Sequence, residues 1–395
     1  MKKCTNLSGV DSSRRSFLKL SAMGAGALAI GTGFPKSSNT TFGLSRSIPS
    51  QDNAIRSFNI DFNWGEGGPN KFARPGQYAY ANPAEHIKWY KELGCNVVQT
   101  FAVSCNGYAW YKNGIVPEQP GLIHDFLPEM VKLGHRENMK VFGYFCIGAN
   151  ARWGLEHPDL SYGIPVIPHI PFTAAYLDYL GSAIEDAVKK TGMDGFMIDW
   201  LWNPGATMEP YPPLKWIACE QVMFRELMNR EFPGKNKITP KLERAFRRKA
   251  IDRCWRRIHD SAKKANPDCI IWLTCCQVTS KDIAGSEMFK EVDWLMNEAG
   301  DLKSINAIRD MVGPQTRLIT CLADWNQQDA KDLAPSAIAA DIGLFGYTQP
   351  TMGAMLPPVE MYLTQPVDHY RKDSRNIATL ARAYNGLPPD YVLAR

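Results

Sequence analysis

Two short apolar runs end in a carboxylate, and these two acids are the first candidates for chemistry. In DGFMIDWLWNPG, at 194–205, the apolar residues 196–198 give way to Asp199. In DWLMNE, at 293–298, a second apolar run ends in Glu298. Paired carboxyl groups are typical of reactions in which one group transfers a proton while the other attacks or activates water. The pattern therefore predicts Asp199 and Glu298 as a catalytic pair.

Each acid also has a structural alternative. Asp199 could cap the turn that follows it, because aspartate side chains commonly accept hydrogen bonds from nearby backbone amides. Glu298 could open a helix, where an acid is favoured by the helix dipole. Asp194 begins the same run that Asp199 ends, and it is predicted to be structural.

The elements that must position these acids alternate regularly between strand and helix. Amphipathic helices are predicted between apolar strands, for example at 84–93, 127–138, 176–190, 216–231, 242–265 and 304–312. The strands are predicted at 57–63, 96–103, 140–147, 195–200, 269–274, 294–297, 318–323 and 342–347. Eight such alternations predict an α/β fold, a single (β/α)8 barrel over residues 55–395. A doubly wound open sheet is the alternative, but the glycine-rich 65–68 is not followed by a helix.

In such a barrel the catalytic residues follow the strands at one end. Acids, amides and aromatic residues occupy those positions here, and flat aromatic rings beside hydrogen-bonding groups are typical of sugar sites. The sequence therefore predicts cleavage of glycosidic bonds in an oligo- or polysaccharide by the two acids. Glu66 is a reserve candidate for the proton donor. The predicted substrate-binding residues are Asp61, Asn63, Trp64, Asn150, Arg152, Trp153, His157, Trp200, Trp202, Asn297, Asp324, Trp325 and Tyr347.

Two of these segments resemble a known group of enzymes. The D-G-x-x-x-D-W pattern at 194–200 resembles the nucleophile strand of retaining barrel glycosidases near the α-L-fucosidases and α-galactosidases. The N-A-R-W and H-P-D segments at 150–153 and 157–159 are similar to the loop after strand three in uncharacterised relatives of that group. The resemblance covers most of residues 55–350 and implies Asp199 as nucleophile and Glu298 as acid/base. The histidine pair that fucosidases place after strand three is not seen at 145–150, and only about 45 residues follow strand eight, without the C-terminal β-sandwich.

Two other functions remain open on the same barrel. A metal-dependent sugar isomerase or epimerase usually has histidine ligands, and the seven histidines show no H-x-H or H-E-x-x-H spacing. A carbohydrate-binding barrel without catalysis would keep the aromatic residues and lack turnover. Neither a cofactor nor a metal ion is predicted.

Charge and cysteine content restrict the class of protein. The net charge of +5 comes from residues 1–50, where seven Lys and Arg side chains face Asp11 alone, so the remainder is nearly neutral and gives no case for nucleic acid. The basic run at 241–264 has helical apolar spacing and is interpreted as a solvated helix face. The ten cysteines show no C-x-x-C spacing, and several lie in apolar strands, so no disulfide framework is predicted.

The N-terminal segment resembles a twin-arginine export leader. Its S-R-R-S-F-L-K motif at 13–19 precedes a weakly apolar, Gly/Ala-rich run at 20–34. This run is too short and too rich in glycine to span a bilayer, so stable membrane insertion is not expected. We expect residues 1–50 to be a leader and linker read by the twin-arginine translocon, and the mature protein to be periplasmic or extracellular.

Replacing both Arg14 and Arg15 by lysine should leave the protein in the cytoplasm of its native host. The translocon reads the arginine pair itself, so lysine keeps the charge but loses the signal. Cell fractionation and immunoblotting measure the outcome, and a Lys2→Arg, Lys3→Arg double variant is the control that should still be exported. Normal export of the Arg14→Lys, Arg15→Lys variant would contradict the assignment.

Overall fold

The predicted strand–helix alternation forms a closed barrel of eight parallel strands in the computed structural model of the chain. The structure describes residues 54–65, 72–162, 170–199, 201, 216–275, 278, 283–298, 302–322 and 329–394. Each strand pairs with the next along the chain, and the last pairs with the first, so the sheet has no open edge. The predicted single (β/α)8 barrel is confirmed, while the predicted leader at 1–50 lies outside the described residues.

The strands are short and almost entirely buried. Their predicted positions are correct, although several ends shift by a few residues, most of all in the second strand. Their bounds are β1 Arg56–Ile60, β2 Val97–Gln99, β3 Lys140–Cys146, β4 Gly195–Asp199, β5 Ile270–Cys275, β6 Trp294–Asn297, β7 Arg317–Leu322 and β8 Gly343–Thr348.

Helices follow the strands and cover the outside of the barrel. Several begin at a side-chain cap, as at Asn82, Thr173 and Thr239, whose oxygens accept hydrogen bonds from backbone amides of the first helical turn. The α-helices of the described ranges are α1 Pro83–Leu93, α2 Phe126–Arg136, α3 Ala151–Glu156, α4 Ala174–Thr191, α5 Ala218–Met228, α6 Pro240–Ala265, α7 Met288–Glu291, α8 Leu302–Arg309, α9 Ala330–Ala339 and α10 Lys372–Tyr384.

Aromatic rings from separate strands meet inside the barrel and show which strand positions point inward. Phe142 on β3 lies with its ring centroid 4.7 Å from that of Trp294 on β6 and 5.8 Å from that of Trp272 on β5. Strands β3, β5 and β6 are not all neighbours, so these rings can meet only across the interior. Because side chains alternate along a strand, every second residue from these positions also points inward.

At the N-terminal end of the barrel, side chains that precede three strands bind the backbone of the strand before. Asn96 Oδ1 accepts a hydrogen bond from the amide of Arg56 at 2.8 Å. Asp194 Oδ2 accepts one from the amide of Val141, and Asp293 Oδ2 one from the amide of Ile271, both at 2.8 Å. The predicted structural role of Asp194 is therefore supported by its contacts, since it joins β3 to the start of β4.

The basic run at 241–264 lies on α6 and is largely neutralised by acids on neighbouring elements. Ion pairs join Arg253 to Glu226 at 3.1 Å and Lys264 to Glu185 at 3.0 Å. Arg256 and Arg257 likewise pair with acidic side chains outside the helix. These contacts agree with a solvated helix face that packs on the barrel.

The cysteines of the described ranges are all buried. They behave as small apolar side chains, and burial raises the pKa of several of their thiols, including Cys219 to about 12. Within the same ranges, no helix combines the length and apolar character that a bilayer crossing needs.

A buried arginine joins the C-terminal segment to α10. Arg382 is 1% exposed, and its guanidinium donates to the backbone oxygens of Tyr362, Gln365, Ala378 and Tyr391 at 2.7–3.0 Å. On the same helix the Tyr384 hydroxyl lies 2.9 Å from the backbone oxygen of Leu344, which connects α10 to β8. The segment after β8 is therefore built into the barrel.

Replacing Arg382 by lysine should lower the free energy of unfolding by about 3 kcal/mol, because one ammonium cannot reach all these buried carbonyls. The midpoint of urea unfolding followed by circular dichroism measures this loss. Arg371→Lys is the matched control: Arg371 is exposed, and its change should stay within about 0.5 kcal/mol. Equal midpoints for the two variants would contradict the structural role of Arg382.

Candidate active site

The two predicted catalytic acids lie at the C-terminal end of the barrel. Asp199 is the last residue of β4, and Glu298 directly follows β6. Both side chains are half-buried, so each has access to the solvent-facing end. Trp294 points inward, and the alternation along the strand carries this orientation through Met296 to Glu298. Asp199 pairs in register with Cys146, which shares the inward face of Phe142.

Strand pairing also fixes the height of these acids. The pairing of β4 with β5 and of β5 with β6 places Met296 level in register with Asp199, and Glu298 lies two residues beyond. In an eight-stranded barrel of this class, neighbouring strands are staggered by about one residue. From β4 to β6 this stagger adds up to about two residues, which equals the offset of Glu298 from Met296. Asp199 and Glu298 therefore lie in the same layer of the barrel. The same stagger, counted from β6 across β7 to β8, places Tyr347 in this layer as well. Tyr347 is half-buried.

Asp199 receives a hydrogen bond from a tyrosine beneath it. The hydroxyl of Tyr144, on the inward face of β3, donates to Asp199 Oδ2 at 2.9 Å, and Tyr144 is 2% exposed. Burial, followed by the negative charge of Asp199, raises the pKa of the Tyr144 phenol well above its usual value. The phenol therefore stays protonated and acts as a donor to the carboxylate. Tyr144 is not among the residues predicted from the sequence, although its alternation with Cys146 could have indicated an inward position.

The residues after β1 connect the site to the next loop. Asp61 is buried, and its Oδ1 accepts from the amide of Asn63 at 2.8 Å. Asn63 is buried as well, and its Oδ1 accepts from the amide of Cys105 at 2.9 Å. Trp64 is half-buried, with its ring centroid 5.2 Å from that of Phe72. In these contacts Asp61 and Asn63 hold the loops at the barrel mouth.

The predicted binding residues after β3 mostly support α3. Asn150 caps this helix through a hydrogen bond from the amide of Trp153 at 2.9 Å. Arg152 donates to the backbone oxygen of Gly107 at 2.9 Å and to both oxygens of Glu156. These side chains are therefore used in folding the loop.

Trp153 lies in the core and not on the rim. Its side chain is 3% exposed, and the ring of the exposed His157 stacks on it at 4.2 Å between centroids. The short helix turns the indole inward against Tyr176. Trp153 was predicted to bind a sugar, but one face of its indole is covered by the His157 ring. Of these two rings, His157 is the exposed one.

Of the remaining residues predicted to bind substrate, some lie within the described residues and others lie outside them. Asn297 is buried at the end of β6, between its register partners on β5 and β7. The two indoles that follow Asp199 in the sequence and the acid and indole after β7 stay predictions, as does the reserve acid Glu66, which also lies outside the described residues. Those that lie outside the described residues are Trp200, Trp202, Asp324 and Trp325.

One family model matches part of the chain. The family described as Hypothetical glycosyl hydrolase 6 matches residues 82–200, less than half of the sequence. The matched segment runs from the start of α1 through β4 and ends just after Asp199. No curated protein sequence matches the chain. The match to the glycosyl hydrolase family model supports a glycosidase function.

Solved structures of several glycosidases share the fold. The α-L-fucosidase isoenzyme 2 of Paenibacillus thiaminolyticus is similar with a TM-score of 0.58 at 13% identity, over 84% of this chain and 49% of that one. A β-galactosidase of the psychrophilic Marinomonas ef1 gives 0.54 at 11% identity over 85% of this chain and 61% of that one. A β-galactosidase of Bacillus circulans sp. alkalophilus gives 0.52 at 12% identity, over 85% and 56%. The chain thus spans about half to three fifths of these proteins, and the similarity at this identity shows the fold.

Proposed function

We propose that this protein is a glycoside hydrolase that acts on an oligo- or polysaccharide through Asp199 and Glu298. The observation that carries the proposal is the position of two half-buried carboxylates in one layer at the C-terminal end of a closed barrel. Active sites of this fold are built at that end, on residues from several strands. The match of residues 82–200 to a glycosyl hydrolase family model supports the same conclusion.

Asp199 is proposed as the nucleophile of a retaining mechanism. A nucleophile must be ionised and held in a fixed direction, and the hydrogen bond from Tyr144 at 2.9 Å serves both needs. Asp199 would attack the anomeric carbon, so that the sugar becomes bonded to the carboxylate while the glycosidic oxygen leaves.

Glu298 is proposed as the acid/base. It would first give its proton to the leaving oxygen and then remove one from the water that releases the sugar. Its half-exposed position directly after β6 leaves it accessible to both the leaving group and water. The two acids, on the alternate strands β4 and β6, would flank the scissile glycosidic bond.

The three similar structures are of an α-L-fucosidase and two β-galactosidases. Aryl derivatives of fucose and galactose are therefore the first substrates to test. Export by the twin-arginine route, proposed from residues 13–34, would deliver the enzyme to glycans outside the cytoplasm.

The Asp199→Ala variant should lose turnover by about a thousandfold or more, because no neighbouring group replaces a covalent partner. Hydrolysis of the best aryl glycoside from a panel measures the loss, and circular dichroism checks the fold. Asp194→Asn, at the opposite end of β4, is the control that should keep turnover while losing stability. Near-normal activity of folded Asp199→Ala would leave a metal-dependent isomerase or a binding barrel as the remaining functions, which a chelator and a glycan-binding assay separate.

The Glu298→Ala variant should behave differently with different leaving groups. An activated aryl glycoside needs little protonation, so its first step should be partly spared, whereas natural glycans should be cleaved far more slowly. Azide should restore the rate, because it displaces the Asp199 carboxylate from the anomeric carbon without needing a base, and the resulting glycosyl azide is identified by mass spectrometry. The pH profile should lose its alkaline limb. Glu92→Ala, on the exposed end of α1, is the control, and an azide effect of equal size there would overturn the assignment of Glu298.

A further inference from the structure

Tyr144 holds its hydroxyl in a fixed place below the proposed nucleophile. Its ring centroid lies 5.2 Å from that of Phe101, and the side chain is 2% exposed. A packed phenol has few rotamers, so the direction of the bond to Asp199 Oδ2 at 2.9 Å is set by the core.

A chain of buried contacts leads to this phenol from the first strand. Cys105 Sγ lies 3.8 Å from Tyr144 Oη, and the amide of Cys105 donates to Asn63 Oδ1 at 2.9 Å. The amide of Asn63 donates in turn to Asp61 Oδ1. The loops after β1 and β2 thereby reach the same phenol hydroxyl that donates to Asp199.

The titratable groups that face Tyr144 come from several elements. They are Asp61 after β1, Cys105 after β2, Cys146 on β3 and Asp199 on β4. Each adds negative charge when ionised, and none is a cation. Burial, followed by the negative charge of Asp199, disfavours loss of the phenolic proton and raises the pKa of Tyr144, so Tyr144 remains a donor over the working pH range.

We propose that Tyr144 is a positioning residue that orients the Asp199 carboxylate and favours its ionised form. The inference rests on the proposed function, because it assigns Tyr144 to the nucleophile of that reaction. A donor to a carboxylate stabilises the charged state, so its removal should make Asp199 easier to protonate. The acid limb of the pH profile would then lie at higher pH in a variant without the hydroxyl.

The Tyr144→Phe variant tests this directly. The acid limb of kcat/KM should move up by about one to two pH units, and kcat should fall roughly tenfold or more. Tyr111→Phe is a matched control: Tyr111 is also buried, and its hydroxyl donates to Asp186 Oδ2 at 3.0 Å, away from the site. It should lose a comparable amount of stability while its acid limb stays at the parent position.

A second measurement does not depend on turnover. Carboxyl-carbon NMR of aspartate-labelled protein gives the titration midpoint of Asp199, assigned by the signal that disappears in Asp199→Asn. The midpoint should be higher in Tyr144→Phe than in the parent and in Tyr111→Phe. An unchanged midpoint would overturn the role of Tyr144 even if Asp199 proves essential. A shifted midpoint with normal turnover of Asp199→Ala would instead refute the proposed mechanism and leave the hydrogen bond established.

Discussion

Closure of the barrel is the constraint on which the rest of the structure depends. The pairing of β1 with β8, from Arg56 opposite Leu344 to Ile60 opposite Thr348, fixes the stagger of all the strands. That stagger determines which inward residues share a layer, and so brings Asp199 level with Glu298. A slip of one residue would turn Asp199 out of the interior, since strand side chains alternate between faces. The rings of Phe142, Trp272 and Trp294 oppose such a slip, because they fill the interior only in this register.

The interior becomes more polar from its N-terminal end to its mouth. The aromatic layer lies lowest, and Asn59 and Thr274 lie above it, level with Tyr144. Within the described residues, Asn59 Oδ1 and Thr274 Oγ1 are buried without a hydrogen-bond partner, an arrangement that costs about 1–3 kcal/mol for each group that water does not reach. Buried polar groups without partners lower the stability of the fold but can bind a polar substrate. Their position accords with active sites of this fold, which lie at the C-terminal end of the barrel. The apolar layers and the anchored C-terminal helix offset the cost.

Sequence periodicity predicted the fold and the order of the strands well, because both depend on local alternation, whereas several strand ends shift by a few residues. Asp194 and Asp199 were assigned opposite roles from their places at the two ends of one run, and the contacts of Asp194 agree with this. The periodicity could not predict Trp153, whose burial depends on how α3 folds back against Tyr176. It also missed Cys105, a loop residue that contacts the distant Asn63 and Tyr144. Long-range contacts of loops leave no period in the sequence.

The different surroundings of the two acids give the strongest physical basis for their different roles. Enzymes that use two carboxylates separate their tasks by environment, with one kept ionised and the other able to carry a proton. Asp199 has a buried phenol that donates to it and stays protonated. Glu298 lies one residue beyond its strand and is half-buried. A group held by a donor from the core is suited to attack, whereas a group at the edge of the loop is suited to exchange protons with water. The proposed assignment of Asp199 as nucleophile and Glu298 as acid/base accords with this asymmetry, since an exchange of the two roles would place the proton carrier where a fixed donor opposes its protonation.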